Sequence, residues 1–168
     1  NVLVDQLKVS HVITGYDHFF GQNRLGDIDL LTQMGQKYNF TVTELPMVTV
    51  GSNSVSSSSV RRALLDGDVK QAAAMLGYSY SLTGEVVAGN KIGRNIGFPT
   101  ANLKPNNIHK LIPGQGVYAT LVKINEVVYK AMTNIGYRPT IDADRLTIEA
   151  NIFDFDMDIY NQTITLSF

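Results

Sequence analysis

The 168 residues contain no cysteine. That excludes disulfides, thiolate catalysis and thiolate metal sites. It fits a reducing compartment, and a cytoplasmic protein is expected. No apolar run approaches the roughly 18 to 20 residues that a membrane span needs, so no membrane partner is expected. Positive charge is not in surplus either: 14 Lys and Arg stand against 15 Asp and Glu, for a net charge of -1. Proteins that grip nucleic acid neutralise its phosphates with clustered cations. A nucleic-acid partner is therefore disfavoured, although a local basic cluster would be enough to hold a nucleotide. The three histidines, His11, His18 and His109, lack metal-ligand spacing. No Gly-x-Ser-x-Gly elbow occurs, which disfavours an α/β-hydrolase. Asn1-Val2-Leu3-Val4-Asp5 has neither an initiator methionine nor a signal-peptide pattern. The chain is accordingly expected to be a piece of a longer protein.

What is present is globular. Hydrophobic residues make up 44% of the chain and charged residues 17%, far from the composition of disorder. His11-Val12-Ile13-Thr14 reads as a short strand stopped by Gly15. A polar and aromatic loop runs from Tyr16 to Gly26. Asp27 can cap a helix whose apolar positions Ile28, Leu31 and Met34 share one face, and Asn39 ends it. Phe40 to Leu45 reads as a second strand. Strand, helix and strand at this spacing predict a parallel α/β unit.

Residues 52 to 59 are rich in serine, which by itself suits a flexible linker. But Val60-Arg61-Arg62-Ala63-Leu64-Leu65 begins a helix at once, and serine is a strong N-cap. Gly67 breaks that helix. Asp68 caps another that Gly77 closes. From Tyr80 onward helical periodicity vanishes, and glycines recur at positions 84, 89, 93, 97, 114 and 116. Gly116 to Ile124, Val127 to Thr133, Leu146 to Phe155 and Thr163 to Phe168 read as strands. Asn125-Glu126 forms a two-residue hairpin connection. Short strands with tight turns predict a small antiparallel barrel. The expected division is an α/β part at 1–78 and an all-β domain at 79–168.

Three constellations could carry chemistry. The first is GEVVAGNKIGRNIGFPTANL, residues 84 to 103, where four glycines, Lys91 and Arg94 lie within 14 residues. Glycines let backbone N–H groups approach an anion, and the two cations can neutralise it. At its end Thr100 and Asn102 offer a hydroxyl and an amide oxygen two residues apart. On an extended backbone both point the same way and suit a hard cation such as Mg²⁺. The bland reading is a polar glycine-rich turn. A P-loop is excluded, because Asn90 stands where Lys is required and no Ser or Thr follows Lys91. The second constellation is Glu149 with Asp154, Asp156 and Asp158. The aspartates open like a calcium loop, but Ile159 replaces the glycine and Thr165 the closing Glu. They read better as a solvated turn. Glu149 lies inside a strand; facing a site, it could take a proton as general base. The third is Ser56 to Arg61, where hydroxyls, helix-terminal N–H groups and an arginine could hold a phosphate. Its bland reading is a capped surface helix.

In this order the segments resemble the bifunctional prokaryotic riboflavin kinase/FAD synthetase family. The carriers are GYDHFFGQNRLGD at 15 to 27, VSSSSVR at 55 to 61, and GDVKQAAAMLGYSYSLTGEVVAGNKIGRNIGFPTANL at 67 to 103. GVYA at 116 to 119, NIGYRPT at 134 to 140 and IEANIFDF at 148 to 155 complete the set. The match covers nearly the whole chain, and GRNIGFPTANL is highly specific. The resemblance implies a Rossmann-like nucleotidyltransferase tail followed by a Greek-key riboflavin kinase barrel. It implies two reactions: ATP phosphorylates riboflavin to FMN, and a second ATP adenylylates FMN to FAD. For the kinase it implies Mg²⁺ and ATP phosphates on Thr100 and Asn102. A flap with Lys91, Gly93, Arg94 and Gly97 would cover the nucleotide, and Glu149 would act as base. For the adenylyltransferase it implies ATP phosphates on Ser57, Ser58 and Arg61, with Asp17 on the flavin side.

The sequence also departs from that family. Its His-x-Gly-His motif and C-terminal helix have no counterpart here, so this piece alone is expected not to make FAD and to bind flavin weakly. Asn151 stands where the family often has His, Asn161 where it often has Gly, and Ser79 where it often has Pro. Asn tolerates the left-handed turn that Gly would supply. The competing expectation is a non-catalytic barrel that binds nucleotides or nucleic acid.

Overall fold

The computed structural model describes residues 2–88, 100–138 and 145–168. The chain divides into two compact units, one ending at Val55 and the other running from Ser56 to Phe168.

In the first unit, β1 (His11–Gly15) and β2 (Thr41–Leu45) pair in parallel, from His11 opposite Thr41 to Gly15 opposite Leu45. Parallel strands need a crossover, and α1 (Ile28–Tyr38) supplies it. Its ends lie where the sequence marks them. Leu30 N–H donates to Asp27 Oδ1 at 2.9 Å, and Asn39 adopts φ 60°, a left-handed cap. A small hairpin of β3 (Thr49–Val50) and β4 (Asn53–Ser54) ends the unit.

The second unit opens with α2 (Ser57–Leu65) and α3 (Val69–Leu76). Six strands follow: β5 (Ser81–Val87), β6 (Ala101–Pro105), β7 (Gly116–Ile124), β8 (Val127–Arg138), β9 (Arg145–Ile152) and β10 (Thr163–Ser167). They close into a barrel in the order β10-β5-β6-β9-β8-β7, with every pair antiparallel. The hairpin-linked strands β7, β8 and β9 form a meander, and β6 lies beside β9. That is a Greek-key arrangement.

Period-two alternation sorts the strand residues. Leu82, Val86, Leu103, Val122, Ile135, Ile148, Ile164 and Leu166 point inward and are buried. Each such side chain is worth about 1.5–3 kcal/mol when fully buried. The interior also holds a polar pair, the hydroxyls of Thr120 and Thr133, 2.7 Å apart. Because each satisfies the other, neither carries the cost of an unpaired buried polar group.

Two glycines let backbones meet. A Cβ at Gly84 would lie 2.3 Å from the Lys104 carbonyl oxygen, across the β5–β6 pair. A Cβ at Gly114 would lie 2.2 Å from the Leu65 carbonyl oxygen, and Gly114 N–H donates to the Leu64 carbonyl at 2.8 Å. This contact seats the α2–α3 hairpin against the segment entering β7. The Tyr118 hydroxyl donates to the Gly114 carbonyl beside it, and its ring meets Phe168 edge-on. Burial raises the Tyr118 phenol above its ordinary pKa.

Several strand ends differ from the sequence reading. β8 continues to Arg138, beyond Thr133, because β9 pairs with it up to Arg145. β9 stops at Ile152, short of Phe155, where Asp154 turns at φ 55°. β5 and β6 were legible only as a glycine-rich stretch. The expected two-residue connection Asn125-Glu126 joins β7 and β8, with Asn125 at φ 54°, and Asn161, which stands where a left-handed turn was expected to be tolerated, adopts φ 62°.

Candidate functional site

On the barrel's outer face one cross-strand row brings together residues distant in sequence. Asn102 on β6 lies directly opposite Glu149 on β9, and Glu149 lies opposite Asn134 on β8. Their inward neighbours are Ala101, Ala150 and Thr133, so this row points outward. Thr100 immediately precedes β6 and is half-buried. The arrangement follows from antiparallel pairing, which puts directly opposed side chains on one face about 5 Å apart.

Glu149 is the unusual member of the row. An outward strand residue is ordinarily exposed, as Asn134 is, yet Glu149 is only 7% exposed. A buried carboxylate needs hydrogen-bond donors. The Thr147 hydroxyl lies 3.0 Å from Glu149 Oε1 and 3.2 Å from the Gly136 carbonyl oxygen. A shielded carboxylate held in place beside amide groups can receive a proton from a hydroxyl brought against it.

Thr100 and Asn102 offer a hydroxyl and an amide oxygen, hard oxygen donors of the kind Mg²⁺ takes, while the Glu149 carboxylate beside them is left for the proton. Among the described residues no cluster of three or more His, Cys, Asp or Glu could hold a metal ion. The donor set therefore fits an ion held by few protein groups and completed by phosphate oxygens and water.

The other expected site residues fall elsewhere. Lys91, Gly93, Arg94 and Gly97 lie outside the described residues. Ser57, Ser58 and Arg61 are exposed on the first turns of α2; the two serines lie four and three residues before Arg61, so each neighbours it on the helix surface. Ser56 and Ser59 form a reciprocal capping box there: Ser56 N–H donates to Ser59 Oγ at 2.8 Å, and Ser59 N–H to Ser56 Oγ at 3.1 Å. Asp17 lies exposed in the turn after β1, in the other unit. The aspartates at 154, 156 and 158 are exposed in the turn after β9, where Asp158 accepts from Tyr160 N–H at 3.0 Å.

Sequence reading did not single out Thr147 or Asn134. Thr147 had a signal, a hydroxyl two residues before a strand carboxylate and so on the same face. Asn134 had none without the β8–β9 register.

Comparison with known proteins places the arrangement in context. A family model described as riboflavin kinase matches residues 76–168, and one described as FAD synthetase matches residues 1–59. Bifunctional riboflavin kinase/FMN adenylyltransferase of Listeria monocytogenes is 39% identical over 93% of this chain and 49% of its own length. The Bacillus subtilis protein of that name is 38% identical, covering 95% of this chain and 51% of its own. For Escherichia coli the figures are 36%, 98% and 52%. The chain thus spans about half the length of the curated relatives it matches. A crystal structure titled macrolide-efflux protein, from Streptococcus pneumoniae, superposes with a TM-score of 0.84 at 35% identity, covering 94% of this chain and 50% of that one. The name carried by that protein differs from the family matches. The models match by sequence on both sides of residue 60, so the structural likeness is taken as one of fold. Among the described residues no helix is long and apolar enough to cross a membrane.

Proposed function

Because the chain belongs to the riboflavin kinase family, we propose that its barrel transfers the γ-phosphoryl group of ATP to the 5′-hydroxyl of riboflavin, giving FMN. In the whole protein the α/β part would serve a second transfer, of AMP from ATP to FMN, giving FAD and pyrophosphate. The observation that carries the reading is the pairing of Asn102 with a buried Glu149 on one outer face.

In the proposed first reaction, a bond forms between the riboflavin 5′-oxygen and the γ-phosphorus. The bond from that phosphorus to the β,γ-bridging oxygen breaks, and ADP leaves. Glu149 accepts the hydroxyl proton. Phosphoryl transfer asks a protein chiefly for positioning and charge stabilisation. Thr100 and Asn102 would hold Mg²⁺ with the ATP phosphates. When bound, that ion supplies neutralisation of phosphate charge. Lys91, Gly93, Arg94 and Gly97 belong to the same proposal as the cover over the nucleotide. For the second reaction, Ser57, Ser58 and Arg61 would hold ATP phosphates and Asp17 would lie on the flavin side. A cytoplasmic setting belongs to the proposal, as does a division at 78/79 that groups α2 and α3 with the adenylyltransferase in sequence. The competing barrel that binds nucleic acid without catalysis finds no support in the charge balance of 14 basic to 15 acidic residues.

The test is FMN formation from riboflavin, ATP and Mg²⁺ by the whole natural protein. Glu149→Gln should lower kcat by about 100-fold or more. Asn102→Ala should chiefly raise the KM for MgATP. FMN formation undiminished in both variants would defeat the proposal.

A further inference from the structure

Glu149 poses a chemical problem that the proposed reaction does not solve by itself. As a charged base it needs a hydrogen-bond donor. Once it has taken the substrate proton it becomes a donor and needs an acceptor. At 7% exposure it cannot rely on bulk water for both.

Thr147 meets both needs. It lies two residues before Glu149 on β9 and opposite Gly136 on β8. Its hydroxyl is 3.0 Å from Glu149 Oε1 and 3.2 Å from the Gly136 carbonyl oxygen. A hydroxyl carries one proton and two acceptor lone pairs, and it rotates to suit its neighbours. With two acceptors in reach it can donate to only one at a time, unless the bond is shared.

We propose that Thr147 is a positioning residue for the kinase reaction, holding Glu149 Oε1 in place before and after proton transfer. Before transfer, the hydroxyl donates to the Glu149 carboxylate. Afterwards, the protonated carboxyl donates to Thr147 Oγ1, and the threonine proton turns to the Gly136 carbonyl. No covalent bond changes at Thr147, and the substrate proton stays on Glu149. The backbone carbonyl is a fixed acceptor in the β8–β9 ladder, so the rotation needs no movement of the strands. The inference rests on the reading of Glu149 as base.

The experiment compares Thr147→Val, Thr147→Ala and Thr147→Ser with Glu149→Gln in the whole natural protein. Valine keeps the branched shape and loses the hydroxyl, whereas serine keeps the hydroxyl. Steady-state kinetics with riboflavin and MgATP should give a kcat about 10- to 100-fold lower for the valine and alanine variants, with KM values within about twofold of the parent. Serine should restore most of the turnover. The alanine variant carries the comparison if valine fails to fold, as judged by thermal unfolding. Parental kcat in the valine or alanine variant overturns the inference, and so does an equal loss with serine. If Glu149→Gln is inactive while the hydroxyl-free variants work, only this inference falls. If Glu149→Gln keeps full turnover, the kinase reading falls with it.

Discussion

The barrel unit and the α/β unit bury their apolar residues to very different degrees. Of the 22 buried apolar residues among the described ones, only Leu31 and Phe40 belong to the first unit. Ile13, Leu45 and Val48 in that unit are 62%, 52% and 61% exposed. Within these 168 residues, which span about half the length of the curated relatives, the difference follows from the strands each unit contains. A sheet that closes on itself has no edges and buries one residue in two on every strand. A two-stranded parallel pair with one crossover helix covers one face at most, and parallel sheets ordinarily need both faces covered. The contrast bears on the proposed kinase site, whose side chains must be held closely in place and stand on the better-packed element. The Asn102–Glu149 row lies on the barrel.

The comparison can be broken most decisively by hydrogen exchange. In the 168-residue chain, amides of β7 and β8 should exchange on the order of 10³-fold or more slowly than those of β1 and β2, because core strands open only with global unfolding. Equal protection in a mass-spectrometric time course would contradict the contrast. A smaller effect comes from side-chain deletion. Leu166→Ala, at a residue 0% exposed in the barrel, should cost about 2–5 kcal/mol. Leu45→Ala, at 52% exposure in β2, should stay within about 0.5 kcal/mol. Urea unfolding of the two variants measures both. A cost below that of Leu166→Ala sharpens the picture inside the barrel unit. Gly114→Ala places a methyl 2.2 Å from the Leu65 carbonyl oxygen, and forcing that contact apart should cost about 1–3 kcal/mol. A parental thermal midpoint in this variant would mean that the helical hairpin does not press on the barrel as described.

How much of this was legible in the sequence depended on how local the cause was. Asp27, Asp68 and Gly77 mark helix ends because capping is decided within four residues, and each lies where the sequence put it, whereas α2 begins at Ser57 under a Ser56 cap, three residues before the Val60 start that the sequence suggested. The Asn125 turn was legible for the same reason. β5 was not, because its Gly84 weakens any strand signal and is explained only by a carbonyl on β6, 20 residues away. The lengths of β8 and β9 were set by pairing with each other, which no local pattern reports. Glu149 and Asn102 were legible as chemistry-bearing residues, by strand position and by resemblance. That they stand directly opposite one another is a fact of barrel register. Burial of an outward carboxylate could not be read from alternation, which predicts the reverse.

In the proposed reaction Asn102 and Glu149 act together from adjacent strands. A double-mutant cycle on FMN formation tests that directly, using Asn102→Ala, Glu149→Gln and the two combined. Residues that act as a unit give grossly non-additive losses. The double variant should therefore lose little more kcat/KM than the worse single variant. A loss equal to the product of the two single losses would mean that the residues act independently, and the shared site drawn from the β6–β9 pairing would be contradicted.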